Sequence, residues 1–205
     1  MPKSFISSLK HGDAKSTVKL DREMKPLKLW LPLDGSGREI VLDAGYVERI
    51  IVPSAEHEAG HIIAARHYGA RVLGIALGFI PEVEQRGMFL QALYKSEKWA
   101  TETQCIVKAA GSAADIIHFG QFNEQEARQD LRDIEQLSGK SSWEPYLTSA
   151  QEVLRGYECQ FKCITRLLRE SLEADGYKVL GRLPGGRIGC LLLDEDRLMA
   201  CLGSA

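Results

Sequence analysis

The seventeen residues PSAEHEAGHIIAARHYG, Pro53 to Gly69, constrain this chain more than any other stretch. Pro53 and Ser54 open a helix, with Ser54 as the expected cap, and Gly69 closes it. Residues four apart on a helix sit one turn apart on the same face. His57, Gly60, His61 and Ala64 therefore share one stripe, flanked by Ala65. Two imidazoles placed this way can reach one Zn(II) ion, with Glu58 turned toward the water such an ion activates. Glu58 is the expected general base, taking a proton from that water and later handing it to a leaving amine. The chain has only five histidines, so two of them in this arrangement carry weight.

A catalytic zinc site needs a third protein ligand and an open fourth position. Close downstream there is none in the usual spacing. His67, His118, Asp115, Glu124, Glu126, Asp130 and Asp133 are the candidates, and residue chemistry alone leaves them open. His67 stands six residues past His61, off the ligand face, and reads as a surface residue or an outer neighbour of the ligands.

Around this helix the chain predicts a mainly α-helical α+β domain, a zinc-metalloprotease-like helical domain with a small edge sheet or hairpins. LKLWLPLDGSGREIVLDAG reads as two extended segments around DGSG. RVLGIALGF, from Arg71, predicts an edge or near-edge strand, and PEVEQRGMFLQAL reads as irregular. Helices are expected at about 96–119, closing at Gly120, at about 125–136, and as one long element at about 145–175. The last of these carries Val153, Tyr157, Phe161, Ile164 and Leu168 at helical spacing. YKVLGRLPGGRIGCLLLDEDRL predicts two strands around PGG. Trp30, Trp99 and Trp143 read as core or interface aromatics.

Residues 1–29 carry seven Lys or Arg against three acids and predict a basic, flexible arm; residues 30–205 predict a single domain. A formal net charge of -2 and the lack of a basic helix argue against nucleic-acid binding. No apolar run approaches the roughly 20 residues of a membrane span. Five scattered cysteines, an odd number, predict reduced thiols and a cytoplasmic location. Cys159 and Cys163, four apart, read as small buried residues on one helix face.

Three segments in order, HEAGH, then AAGSAADIIHFG from Ala109 to Gly120, then Gln129-Asp130-Leu131, resemble the proteolytic domain of the FtsH-type membrane-anchored AAA zinc proteases. The resemblance spans 53–136. It implies Asp130 as third zinc ligand beside His57 and His61, and Asp115 as an acid that orients a ligand histidine by hydrogen bond. It also implies that the Arg71–Phe79 strand lies beside the cleft and offers an edge to an extended substrate. The chain departs from the family at Ile62, at Ile116 in place of a second acid, and in having nothing like the ATPase module: KHGDAKST lacks the phosphate-cradling GxxxxGK[ST] frame. The expectation is therefore an ATP-independent zinc endopeptidase acting on peptides or unfolded protein, with a homo-oligomer or an ATPase supplied in trans as partners. The competing expectation is a non-catalytic zinc-binding relative that serves as an interaction or regulatory domain.

Overall fold

The computed structural model describes residues 27–33, 36–42, 47–79, 88–96, 98–122, 124–173, 178–182 and 188–203. Most of the basic arm, residues 1–26, and the side chain of Trp30 lie outside the described residues. Strands β1 (Leu27–Leu33) and β2 (Ser36–Leu42) pair as an antiparallel hairpin. The rest is mainly helical: α1 (Val52–His67), α2 (Thr101–Phe119), α3 (Glu124–Ser138), α4 (Glu144–Arg155), α5 (Glu158–Glu173) and α6 (Glu195–Leu202) accompany a four-stranded sheet, against which α1, α5 and α6 pack. That sheet contains β3 (Arg71–Phe79), β4 (Met88–Lys95), β5 (Lys178–Arg182) and β6 (Ile188–Asp194), in the order β4-β3-β6-β5 with every pair antiparallel.

Helix α1 is the centre of the core. Every residue from His57 to Ala65 is buried, as expected of a helix enclosed on all sides. It packs on α2, α4 and α5 and on strands β3 and β4. Ile62 and Ile63 are almost completely enclosed, and burial of each such side chain is worth about 1.5–3 kcal/mol. Gly69 ends the helix in the left-handed region, φ 77°. The Gly69 and Ala70 amides donate back to the carbonyls of Arg66 and Ala65, at 3.0 and 2.9 Å, the paired bonds of a Schellman stop. The N-terminus differs from expectation. A π-helical turn, Val47–Ile51, runs straight into α1, so Ser54 is buried within the first turn and is not the cap.

Four further expectations need correction. The long helix at 145–175 is two helices, because Gly156 and Tyr157 form tight turns with their amides bonded three residues back, to Val153 and Leu154. Glycine inside a helix costs about 1 kcal/mol relative to alanine, and the break lets Leu154 in α4 and Phe161, Ile164 and Leu168 in α5 all reach the core. Second, the segment read as irregular contains β4. Third, β3 is near-edge, as its sequence predicts, but it is flanked by β4 on one side and β6 on the other, so the exposed edge that the family resemblance implies for it belongs to β4. Fourth, Cys163 of α5 and Cys201 of α6 form a disulfide across a sequence separation of 38. Cys105 and Cys159 are free, the first buried and the second exposed. The cysteine pattern therefore gives no argument for a reducing compartment.

Helix α6 was not foreseen at all. Asp194 caps it by accepting from the Arg197 amide at 3.2 Å, and Glu195 and Asp196 occupy its first turn, where acids favour the helix dipole. Among the described residues no helix is long and apolar enough to cross a membrane.

Candidate metal centre

Three helices bring the site together. His57, Glu58 and His61 come from α1, Asp115 from α2 and Asp130 from α3, and all five residues are buried. One ligand atom from each of His57, Glu58 and His61 lies within 4.8 Å of the others. The buried His-Glu-His group resembles a zinc-protease site.

The imidazoles are oriented from behind. His61 Nδ1 lies 2.8 Å from the Val107 carbonyl oxygen. A carbonyl only accepts, so Nδ1 carries the proton and the lone pair of the neutral ring is on Nε2. His57 Nδ1 lies 2.9 Å from Asp115 Oδ2, a carboxylate that fixes the same tautomer. Both Nε2 atoms then face one point, and Asp130 faces it too: its Oδ2 is 3.2 Å from His57 Nε2 and 3.1 Å from His61 Nε2. Ligands about 2.0–2.1 Å from a tetrahedral zinc ion stand about 3.3 Å apart. The two N···O separations are close to that, and the donor set of two imidazoles and a carboxylate suits zinc.

Charge balances inside this enclosure. Burial disfavours charge on His57, but hydrogen bonds to Asp115 and Asp130 and the Glu58 charge outweigh it and hold its pKa well above the usual imidazole value. For His61 burial is likewise outweighed, chiefly by Asp130. Asp130 sits far below the usual carboxylate range, because His61, His57 and Lys108 overcome its burial. Burial pushes Glu58 upward against the attraction of both histidines.

Glu58 has a partner that no sequence pattern announces. Its Oε2 accepts the backbone N–H of Ala92 in β4 at 2.5 Å. That N–H is therefore directed away from β3, and β4 has no other strand beside it among the described residues. No family model matches the chain, and no curated protein matches it.

The remaining ligand candidates fall elsewhere. His67 is exposed and meets Tyr157 Oη at 3.1 Å. His118 stacks on Phe161, with ring centroids 3.9 Å apart. Glu124 opens α3 on the surface, and the Glu126 side chain lies outside the described residues. Asp133 points to Lys108, 2.7 Å from its Nζ. Trp99 donates to the Tyr68 carbonyl at 2.9 Å, and Trp143 packs edge-on to Phe122, so both act as packing aromatics. Sequence reasoning missed Lys108, the Val107 carbonyl and the Ala92 amide. Two of these are backbone groups, which carry no residue signature, and Lys108 is a single cation in an otherwise small-residue helix.

Proposed function

We propose that this chain is a zinc-dependent, ATP-independent endopeptidase that cleaves flexible polypeptides, a relative of the FtsH-type proteolytic domains. In this reading His57, His61 and Asp130 hold the metal and Glu58 is the general base. One observation carries it: Asp130 Oδ2 lies within 3.2 Å of both histidine Nε2 atoms, beside a glutamate anchored on a sheet edge. The three segments that resemble the family in sequence are the three that meet at this point, which supports the kinship.

Bound zinc supplies Lewis acidity to a carbonyl and makes water a nucleophile near neutral pH. The chain's own groups do the rest. Asp115 and the Val107 carbonyl hold the imidazoles in the tautomer that binds metal. Glu58, whose pKa burial raises, takes the proton of the attacking water and returns it to the leaving amine. An extended peptide would pair with the outer edge of β4, through main-chain groups other than the Ala92 N–H, which Glu58 occupies.

A second reading has its own support. His57 is 2% exposed, His61 6%, Asp130 7% and Glu58 9%, which suits a closed zinc domain with an interaction role. The deciding experiment has two steps. Zinc per chain is measured by elemental analysis for wild type, His61→Ala and Asp130→Ala, then peptide cleavage for wild type and Glu58→Gln. About one zinc per chain, lost in both ligand variants, with cleavage that falls about 10²–10⁴-fold in Glu58→Gln, is the peptidase result. Zinc without cleavage of any flexible polypeptide gives the second reading. Zinc absent even after reconstitution refutes both.

A further inference from the structure

On the far side of the Asp130 carboxylate stands a cation. Lys108 follows Val107 in α2, and its Nζ lies 3.4 Å from Asp130 Oδ1 and 2.7 Å from Asp133 Oδ2. Its side chain is 32% exposed. Asp130 and Asp133 are three residues apart on α3, so one helical turn presents both carboxylates to one ammonium. The two oxygens of Asp130 are thus committed to different partners: Oδ2 to both histidines, Oδ1 to Lys108.

We infer that Lys108, itself held by Asp133, is a positioning residue that fixes the Asp130 carboxylate so that a single oxygen faces the metal. The inference rests on the zinc-site reading above and adds two residues to it. A bare ammonium beside a divalent cation would repel it and weaken binding. Asp133 removes that objection: in contact with Lys108, it cancels most of the charge that the metal would feel. What the pair contributes is then orientation. A carboxylate free at Oδ1 can rotate or bind through both oxygens, and either change disturbs the geometry that the histidines require. Outer partners of metal ligands typically hold about 10–100-fold of affinity.

The test is zinc affinity of the whole chain, read by competition with a chromophoric chelator, which needs no catalytic turnover. The variants are Lys108→Met, Asp133→Asn, the two combined, and Lys108→Arg, with Asp130→Ala as reference. The combined variant removes the pair without changing net charge, and is expected to bind zinc about 10–100-fold more weakly than wild type. Asp133→Asn leaves an uncompensated ammonium and binds more weakly than the combined variant. Lys108→Met leaves an uncompensated carboxylate and binds at least as tightly as the combined variant. Lys108→Arg keeps a cation on both acids and stays within about tenfold of wild type. Circular dichroism of the metal-free chains separates misfolding from lost affinity. Should the combined variant not fold, Asp133→Asn is judged against wild type, since that side chain is 27% exposed. Zinc bound at least about tenfold more weakly is then expected, and affinity within about twofold of wild type overturns the inference. A folded combined variant within about twofold of wild type overturns the inference, as does Asp133→Asn binding more tightly than the combined variant. If Asp130→Ala alone loses zinc in such a series, the metal site stands and only the role of Lys108 falls. If zinc survives Asp130→Ala, the ligand assignment falls and this inference with it.

Discussion

The imidazole of His57 lies directly against the backbone of Gly111. A β-carbon there would stand 2.5 Å from Cε1 and 2.6 Å from Cδ2 of the ring, and closer still to Nε2. Gly60 makes the reciprocal approach from α1, where a β-carbon would overlap the Ala110 carbonyl and stand 2.8 Å from Ala114 Cβ. The two helices cross at these glycines, and their closeness is what lets an acid on α2 reach a histidine on α1. Gly111→Ala should therefore displace His57 from its partners. Overpacking costs about 1–3 kcal/mol, while alanine returns about 1 kcal/mol of helix propensity. Stability then falls only modestly, and zinc affinity is the sharper readout: we expect a loss of at least about tenfold by chelator competition. Wild-type affinity in Gly111→Ala would mean that the ring tolerates displacement.

The metal-free chain should lose stability as pH rises. His57 and His61 have raised pKa values, so their contribution is complete below the ordinary imidazole value of about 6.5 and disappears as pH climbs through the folded value. Glu56, raised to about 7 mainly by burial, acts in the same direction. The folded chain keeps a proton there that the unfolded chain releases at about 4.3, so stability drops between those values. Glu58 adds to this drop. Asp130 works oppositely, its contribution present above about 3.9 and lost as pH falls through its depressed folded value. For these groups the maximum lies at about pH 4–5. Thermal unfolding in chelator from pH 4 to 9 reads this directly, and Glu56→Gln should flatten the decline between about 4.5 and 7. A melting temperature that climbs steadily from pH 5 to 8 would contradict it.

The disulfide closes a long loop. Cys163 and Cys201 are 38 apart in sequence, and their bond ties α6 to α5, on which α6 packs. A loop of that length implies about 2–4 kcal/mol of stabilisation. Cys201→Ser, or reduction by a dithiol, should lower the melting temperature accordingly. Peptide mapping without reductant should recover the two cysteines as one linked pair. Free thiols at both positions in oxidised protein would count against the bond.

Legibility in the sequence followed locality. Helix α1, its stop at Gly69 and the shared face of His57 and His61 were readable because helix periodicity and a left-handed glycine are local signals. Gly120 closed α2 for the same reason. The pairing order of the sheet was not readable: β3 is apolar throughout from Val72 to Phe79 whether it lies inside or at an edge, and β4 mixes Gln91, Ala92 and Tyr94 without clean alternation. The break at Gly156 was hidden by apolar spacing that continues across it. The cap of α6 is legible in Asp194, which precedes two acids and an apolar stretch, yet the apolar run just before it carries the strand signal up to the same residue. The position of Asp130 opposite the histidines came only from the order of three segments, because nothing in residue spacing brings α3 onto α1. Lys108 and the Ala92 amide had no signal of either kind.

The sheet edge provides the last test. Ala92 directs its N–H at Glu58 and not into the ladder with β3, so removal of that hydrogen should leave the pairing of β3 and β4 intact. Proline is tolerated on edge strands where the missing N–H faces outward. Ala92→Pro should therefore fold and, since it touches no ligand, bind zinc as wild type does. It should nevertheless fail as a peptidase, because the glutamate loses the donor that holds its carboxylate, which lowers kcat. Each lost hydrogen bond to a charged or buried partner is worth about 1.5–3 kcal/mol, so kcat/KM should fall at least about tenfold. Cleavage at the wild-type rate by a folded, zinc-loaded Ala92→Pro would show that Glu58 needs no anchor on β4, while leaving the metal site untouched.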